Sequence, residues 1–142
     1  MTLVLDRAWL LAHLPHQGAM NLLEAVVAWD ASTLRARATS HRDPENPLRR
    51  AGVLPIAAGI EYGAQAAAAH GALAANAPSG AGFLASMRSV VFHAGRLDDQ
   101  AGALDVFVEQ LGGGTAGVLY RFEISCLGRA LVDGRVTVAF AP

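Results

Sequence analysis

The stretch L-P-I-A-A-G-I-E-Y-G-A-Q-A-A-A-A-H-G-A-L, Leu54 to Leu73, constrains this chain more than any other. It is rich in Ala and apolar on nearly every side. Its one carboxylate, Glu61, is the only charged residue between Arg50 and Arg88. A helix hydrophobic all round must be surrounded by other structure. Pro55 stands where a helix's first turn tolerates it, and the helix is expected to run to about Ala75, closed by N-A-P-S-G-A-G. Residues 56–75 approach membrane-spanning length, but Glu61, Gln65 and His70 interrupt them. A buried helix of a soluble domain is the better reading, with no membrane partner.

The flanking sequence predicts what surrounds it. D-R-A-W-L-L-A-H-L, Asp6 to Leu14, reads as a short helix with an Asp N-cap, stopped at Pro15. N-L-L-E-A-V-V-A-W-D and S-T-L-R-A-R-A-T-S form a hairpin turning at Asp30–Ala31, with Leu34, Ala36 and Ala38 on one face and Arg35 and Arg37 on the other. After the helix come four strand-like runs, within residues 83–93, 103–111, 117–127 and 129–140, separated by Gly- and Asp-containing turns. The prediction is an α+β single domain over residues 1–142. A curved antiparallel sheet of about six strands wraps one long apolar helix, with a short N-terminal helix beside it. This is the hot-dog arrangement. Gly59 and Gly63, in G-I-E-Y-G, are expected to let the sheet approach closely rather than to mark a membrane dimer.

Composition excludes several function classes. A chain of 142 residues that is 53% hydrophobic is long enough for a sizeable core and is not disordered. A net charge of −1, with no basic patch interleaved by aromatics, gives no footprint for nucleic acid. Cys126 stands alone, which excludes a disulfide framework and fits a reducing cytoplasm. The start lacks a basic segment followed by a long apolar core, so no signal peptide is expected. His13 and His16 make no zinc pair, since further ligands at suitable spacing are missing, and no metal is expected.

Several motifs, in order, carry a family likeness. L-P-H-Q-G-A-M-N-L-L-E-A-V, Leu14 to Val26, resembles the opening of the 3-hydroxyacyl-(acyl carrier protein) dehydratases of the hot-dog superfamily. The helix start has, like theirs, a Pro six residues before an acid and a Gln four after it, in Pro55, Glu61 and Gln65. S-M-R-S-V-V-F-H-A-G-R-L-D-D is similar to their strand and G-D turn. The pattern N-P-L, L-P and G-I-E-Y-x-A-Q is similar to the divergent branch found with aryl-polyene gene clusters.

The resemblance implies dehydration of a carrier-bound 3-hydroxyacyl thioester to a trans-2-enoyl thioester in fatty-acid or polyene-type biosynthesis. It implies no cofactor beyond the phosphopantetheine arm that carries the substrate, an acyl carrier protein as partner, and a homodimer or an assembly of dimers. Glu61 would be the acid, kept partly protonated by its apolar setting. The free N–H groups of the helix start would polarise the thioester carbonyl, with Ile56 at the position of the family's Gly and Pro55 beside it. Gln65, one turn on, could hold the Glu61 rotamer.

The family's loop His, fourteen residues before the acid, is replaced here by Pro47. His16 is the better substitute base, expected roughly 5 to 8 Å from a Glu61 of the same or the partner chain, a gap one substrate could bridge. His41 should lie farther off, as a solvated loop residue. His13, His70 and His93 read as structural or surface residues. Arg42, Arg49 and Arg50 could meet the phosphate of the arm or an acidic carrier, or could be an ordinary solvated charge run. Two rival readings remain open, a non-catalytic acyl-thioester-binding subunit and a hot-dog acyl-CoA thioesterase.

Overall fold

A computed structural model describes residues 4–76, 83–114 and 117–139. Helix α1 spans Arg7–His13, and the Asp6 carboxylate caps it by accepting the Trp9 N–H at 3.0 Å. Strands β1 (Ala25–Trp29) and β2 (Thr33–Ala38) pair antiparallel. Asp30 shapes their turn, since its carboxylate accepts the N–H groups of Ser32 and Thr33 at 2.9 and 2.7 Å. On β2, Leu34, Ala36 and Ala38 are buried and Arg35 and Arg37 exposed, as the alternation requires.

Helix α2 spans Ala58–Ala75, and β3 (Phe83–Phe92), β4 (Leu104–Gly114), β5 (Gly117–Cys126) and β6 (Arg129–Ala139) follow. The helix ends at Asn76 in the left-handed conformation; the remainder of its expected closing segment, residues 77–82, lies outside the described residues. So do Thr115 and Phe140, at the ends of predicted elements. The six strands form one antiparallel sheet in the order β1-β2-β4-β5-β6-β3, and α2 packs on β2, β4, β5 and β6. The sheet wrapped on a helix is the hot-dog fold.

Two glycines set how near the helix lies to the sheet. A Cβ on Gly59 would stand 2.6 Å from Val132 Cγ1, and one on Gly63 would stand 2.8 Å from the Phe122 ring. Only a bare backbone fits there. His70, buried near the far end of α2, hydrogen-bonds the Tyr120 hydroxyl at 2.8 Å through Nδ1 and the Asp30 carbonyl at 3.0 Å through Nε2. Burial pushes the Tyr120 hydroxyl up to about 12, so it stays protonated beside the imidazole.

The start of α2 departs from the sequence expectation. Pro55 lies outside the helix, in an isolated bridge with Arg96. From there the carbonyls of Pro55, Ile56 and Ala57 accept the N–H groups three residues on, winding the chain into the helix at Ala58. Leu54 fixes this approach, because its N–H donates to Asp98 Oδ1 at 2.9 Å. Both ends of the sheet remain edges among the described residues. β1 receives an isolated bridge from Leu5 to Val26. β3 exposes Met87 (55%), Val91 (48%) and Phe92 (48%), an apolar edge of the kind that recruits another strand.

Candidate active site

Glu61 sits in the first turn of α2, and His16 comes from the loop after α1. Within one chain, His16 Nε2 lies 3.3 Å from Glu61 Oε1, with side chains 22% and 28% exposed. This is direct contact, closer than the substrate-bridged gap expected from sequence. Glu61 therefore has a specific partner rather than a merely apolar setting. The His16 hydrogen bond holds its carboxyl below the usual glutamate value and outweighs burial, which pushes the other way; Gln65 adds a smaller lowering. The resting group is an ionised carboxylate at neutral pH. That corrects the expectation of an acid kept partly protonated.

Four side chains hold the His16 loop in place. Pro15 follows α1, and Gly18 takes φ +57°, where a side chain would be strained. The Arg7 guanidinium donates to the carbonyls of Gly18, Asn21 and Leu23 at 2.9, 2.8 and 2.9 Å. Gln17 ties back to the Leu11 carbonyl at 2.9 Å, and the buried Asn21 donates to the His16 carbonyl at 3.2 Å. Gln65, fully buried, donates to the Met20 carbonyl at 2.8 Å and accepts the Leu22 N–H at 2.9 Å. Gln65 thus chiefly joins the helix of Glu61 to the loop of His16; its expected task was holding the Glu61 rotamer. On the ring itself, Nδ1 is buried and has no hydrogen-bond partner among the described residues.

A cleft of about 440 Å³ opens over Glu61. Met20, Leu48, Ile60, Leu84 and Met87 give it apolar walls, and Arg50 and Pro55 stand at it. Leu84 and Met87 belong to the exposed edge strand β3, so a strand paired there would cover this side of the cleft. A second cleft, about 290 Å³, is polar, and its Arg7, Ser40 and Asn46 already serve hydrogen bonds of the fold.

The backbone at the helix start corrects another expectation. The Ile56 N–H is not free; it donates to the Gly95 carbonyl at 3.2 Å. The next amide, Ala57, lines the cleft at the exposed N-cap and has no partner among the described residues. It is the donor a carbonyl in the cleft would meet.

The arginines divide. Arg49 donates to the carbonyls of Asp43, Gly52 and His41, and Arg42 to that of Ala101, so both brace loops. Arg50 alone of the three lines the cleft. Asp98 receives Arg96, and that ion pair holds its carboxyl far below the usual range. His41 is no solvated residue: it is fully buried, its Nε2 hydrogen-bonds the Gln100 carbonyl at 3.1 Å, and burial pushes its pKa down. It does not line the cleft. Asn46, next to Pro47, bonds the Tyr62 hydroxyl at 3.1 Å and the Ser40 carbonyl at 2.9 Å, shaping the loop where the family's His would stand. His93 pairs with Asp133, and His13 stacks on Trp9.

Sequence reasoning missed Arg7, Asn21 and Ala57. Asn21, a lone amide ahead of the apolar L-L of β1's approach, carried a weak signal; Arg7 carried none that separates it from a solvated helix residue.

Comparison with known proteins gives the family and the fold. The family model described as ApeP-like, ApeP dehydratase, matches residues 10–142. The dehydratase heterocomplex ApeI:P from Xenorhabdus doucetiae is similar, with a TM-score of 0.81 and 27% identity over 94% of this chain and 91% of that one. A mutant thioesterase, PA1618, from Pseudomonas aeruginosa has a TM-score of 0.62 at 15% identity, covering 84% and 81%. Zebra fish thioesterase superfamily member 2 has 0.61 at 11%, covering 87% and 84%. These two show the shared fold alone. No curated protein matches the sequence.

Proposed function

Because this chain belongs to the ApeP-like dehydratase family, we propose that it removes water from a 3-hydroxyacyl thioester to give the trans-2-enoyl thioester. The observation that carries this reading is Glu61, which lines an apolar cleft and is held in contact with His16 at 3.3 Å. Dehydration needs a proton removed from C2 and one delivered to the departing C3 hydroxyl. A carboxylate at the floor of an acyl-sized cleft is suited to such transfers, each of which contributes about 10²- to 10⁴-fold in rate. Ala57 lines the same space with an N–H that has no partner among the described residues, at a helix start whose dipole favours negative charge on a thioester oxygen. Met20, Ile60 and Leu84 would receive the first carbons of the chain.

The substrate arrives on the phosphopantetheine arm of an acyl carrier protein, and no other cofactor takes part. Arg50 supports this partner, because it stands at the cleft with its charge uncompensated by any carboxylate among the described residues. A hot-dog sheet joined along β3 completes the assembly: a homodimer if a second copy supplies it. The similar protein from Xenorhabdus doucetiae is described as a heterocomplex, so a sister chain is the other candidate.

Incubating the protein with a carrier-bound 3-hydroxyacyl chain, followed by mass spectrometry, tests the reading. Loss of one water supports it, and release of the free acid marks a thioesterase instead. A second reading, a non-catalytic binding subunit, has one observation in its favour: Pro47 stands where the resemblance places the family's His. An unchanged substrate would favour it.

A further inference from the structure

Resting on the dehydratase reading, we infer that Glu61 carries both proton transfers on one face of the substrate, and that His16 is a fixed N–H donor to its carboxylate rather than the base. A neutral imidazole has one N–H and one lone pair. His16 Nε2 faces Glu61 Oε1 at 3.3 Å. Two lone pairs would repel across that gap, so the N–H belongs on Nε2. The remaining lone pair is then on Nδ1, the atom that is buried and unpartnered among the described residues. A lone pair sealed from the cleft cannot take a proton from C2.

A second ring proton would sit on Nδ1, where no acceptor stands among the described residues. Arg7, Asn21 and Gln65 hold the loop, and with it the ring, in this orientation. The groups that act on Glu61 are His16 from the loop and Gln65 from its own helix, while Arg50 lines the same cleft without pairing with it. None of the five histidines, His16 included, lines the cleft; Glu61 does.

The proton count closes on one residue. The Glu61 carboxylate takes the C2 proton, and the C–H electron pair passes into the thioester as an enolate facing the Ala57 N–H. The carboxylic acid so formed protonates the C3 hydroxyl. The C3–O bond breaks with its electrons leaving on water, and the enolate electrons form the C2=C3 double bond. Glu61 ends as the carboxylate it began as, and the His16 proton stays on Nε2 throughout. An acyl chain filling the cleft excludes water from Glu61 and strengthens it as a base. Both transfers use one carboxylate, so the elimination is syn.

Two measurements test this. Nitrogen-15 NMR of histidine-labelled protein reads the resting tautomer without turnover, and Nε2–H at His16 is expected; an Nδ1–H tautomer overturns the proposal. Single-turnover dehydration then compares variants whose folds are checked by circular dichroism. His16→Ala is expected to lose roughly 10- to 100-fold, as for a charge-assisted hydrogen bond removed. His16→Gln, which restores an N–H without a titrating ring, should recover most of that loss, while Glu61→Gln loses about 10²- to 10⁴-fold. A folded His16→Gln variant as slow as Glu61→Gln overturns the proposal. No water loss by the wild-type protein overturns the dehydratase reading and the proton path with it. The nitrogen shifts then still show whether the His16 geometry itself was wrong.

Discussion

Gln65, one helical turn beyond Glu61, donates to the Met20 carbonyl at 2.8 Å, and so binds the helix of the carboxylate to the loop of the imidazole. The same amide accepts the Leu22 N–H, so the tie is doubled within a buried side chain. Gln65→Leu would leave two backbone groups without partners, at a cost of about 1 to 3 kcal/mol each if they stay buried. Its kcat should fall while KM changes little, because the cleft walls survive and His16 shifts. A urea titration and steady-state kinetics on the one variant check both outcomes. An unchanged kcat would mean that the tie serves stability alone.

Gly59→Ala and Gly63→Ala should each destabilise the protein, against the local helix preference. Ala is favoured over Gly in a helix by about 1 kcal/mol. Here the added Cβ meets Val132 at 2.6 Å or the Phe122 ring at 2.8 Å, and such overpacking costs about 1 to 3 kcal/mol. Thermal midpoints below wild type are expected for both, and a raised midpoint would show that the sheet yields freely.

The legibility of this chain in its sequence follows the range of the forces involved. The apolar faces of α2 and β2 are periodic, so the fold and the tight glycines could be read from neighbouring residues. The likeness of L-P-H and G-I-E-Y-x-A-Q to a family brought Glu61 and His16 to one site before any coordinates. What could not be read depends on partners far along the chain. The Ile56 N–H is taken by the Gly95 carbonyl, a partner that no local pattern predicts. The sequence leaves open whether Arg42 and Arg49 meet a partner or form a solvated charge run, because the carbonyls they bind lie in other loops or across their own. The charge state of Glu61 needed the 3.3 Å contact, which no spacing rule supplies.

Acid stability should depend on Asp98, whose side chain is 8% exposed. The Arg96 ion pair, with the Leu54 N–H, holds its carboxyl far below the usual value. A carboxyl depressed on folding stabilises fully above its unfolded value, about 3.9, and that contribution fades as pH falls through the folded value. Asp98→Asn should therefore destabilise by about 1 to 3 kcal/mol near neutral pH, with the difference from wild type shrinking below about pH 4. Urea midpoints across pH check this. A difference that grows in acid would contradict it.

The β3 edge should be an interface. Met87 and Val91 are exposed there in an isolated chain, and Met87 also lines the cleft. Light scattering at tens of micromolar should give a dimer for the wild-type protein and a monomer for Val91→Arg, whose charge would be buried unpaired in the contact. A folded wild-type monomer that dimerises only when a sister hot-dog chain is added would replace the homodimer by a heterodimer. A dimer unaffected by Val91→Arg would place the interface elsewhere.

The dehydration assay on Glu61→Gln tests the account at its centre. The amide keeps the side chain's volume but cannot carry a proton, so the variant should fold as the wild type does. Given a carrier-bound 3-hydroxyacyl chain, the wild-type protein should give a product lighter by one water. Folded Glu61→Gln should do so about 10²- to 10⁴-fold more slowly. A near-wild-type rate from the variant, or free acid as the wild-type product, would contradict the assignment of Glu61 as the residue that moves the proton.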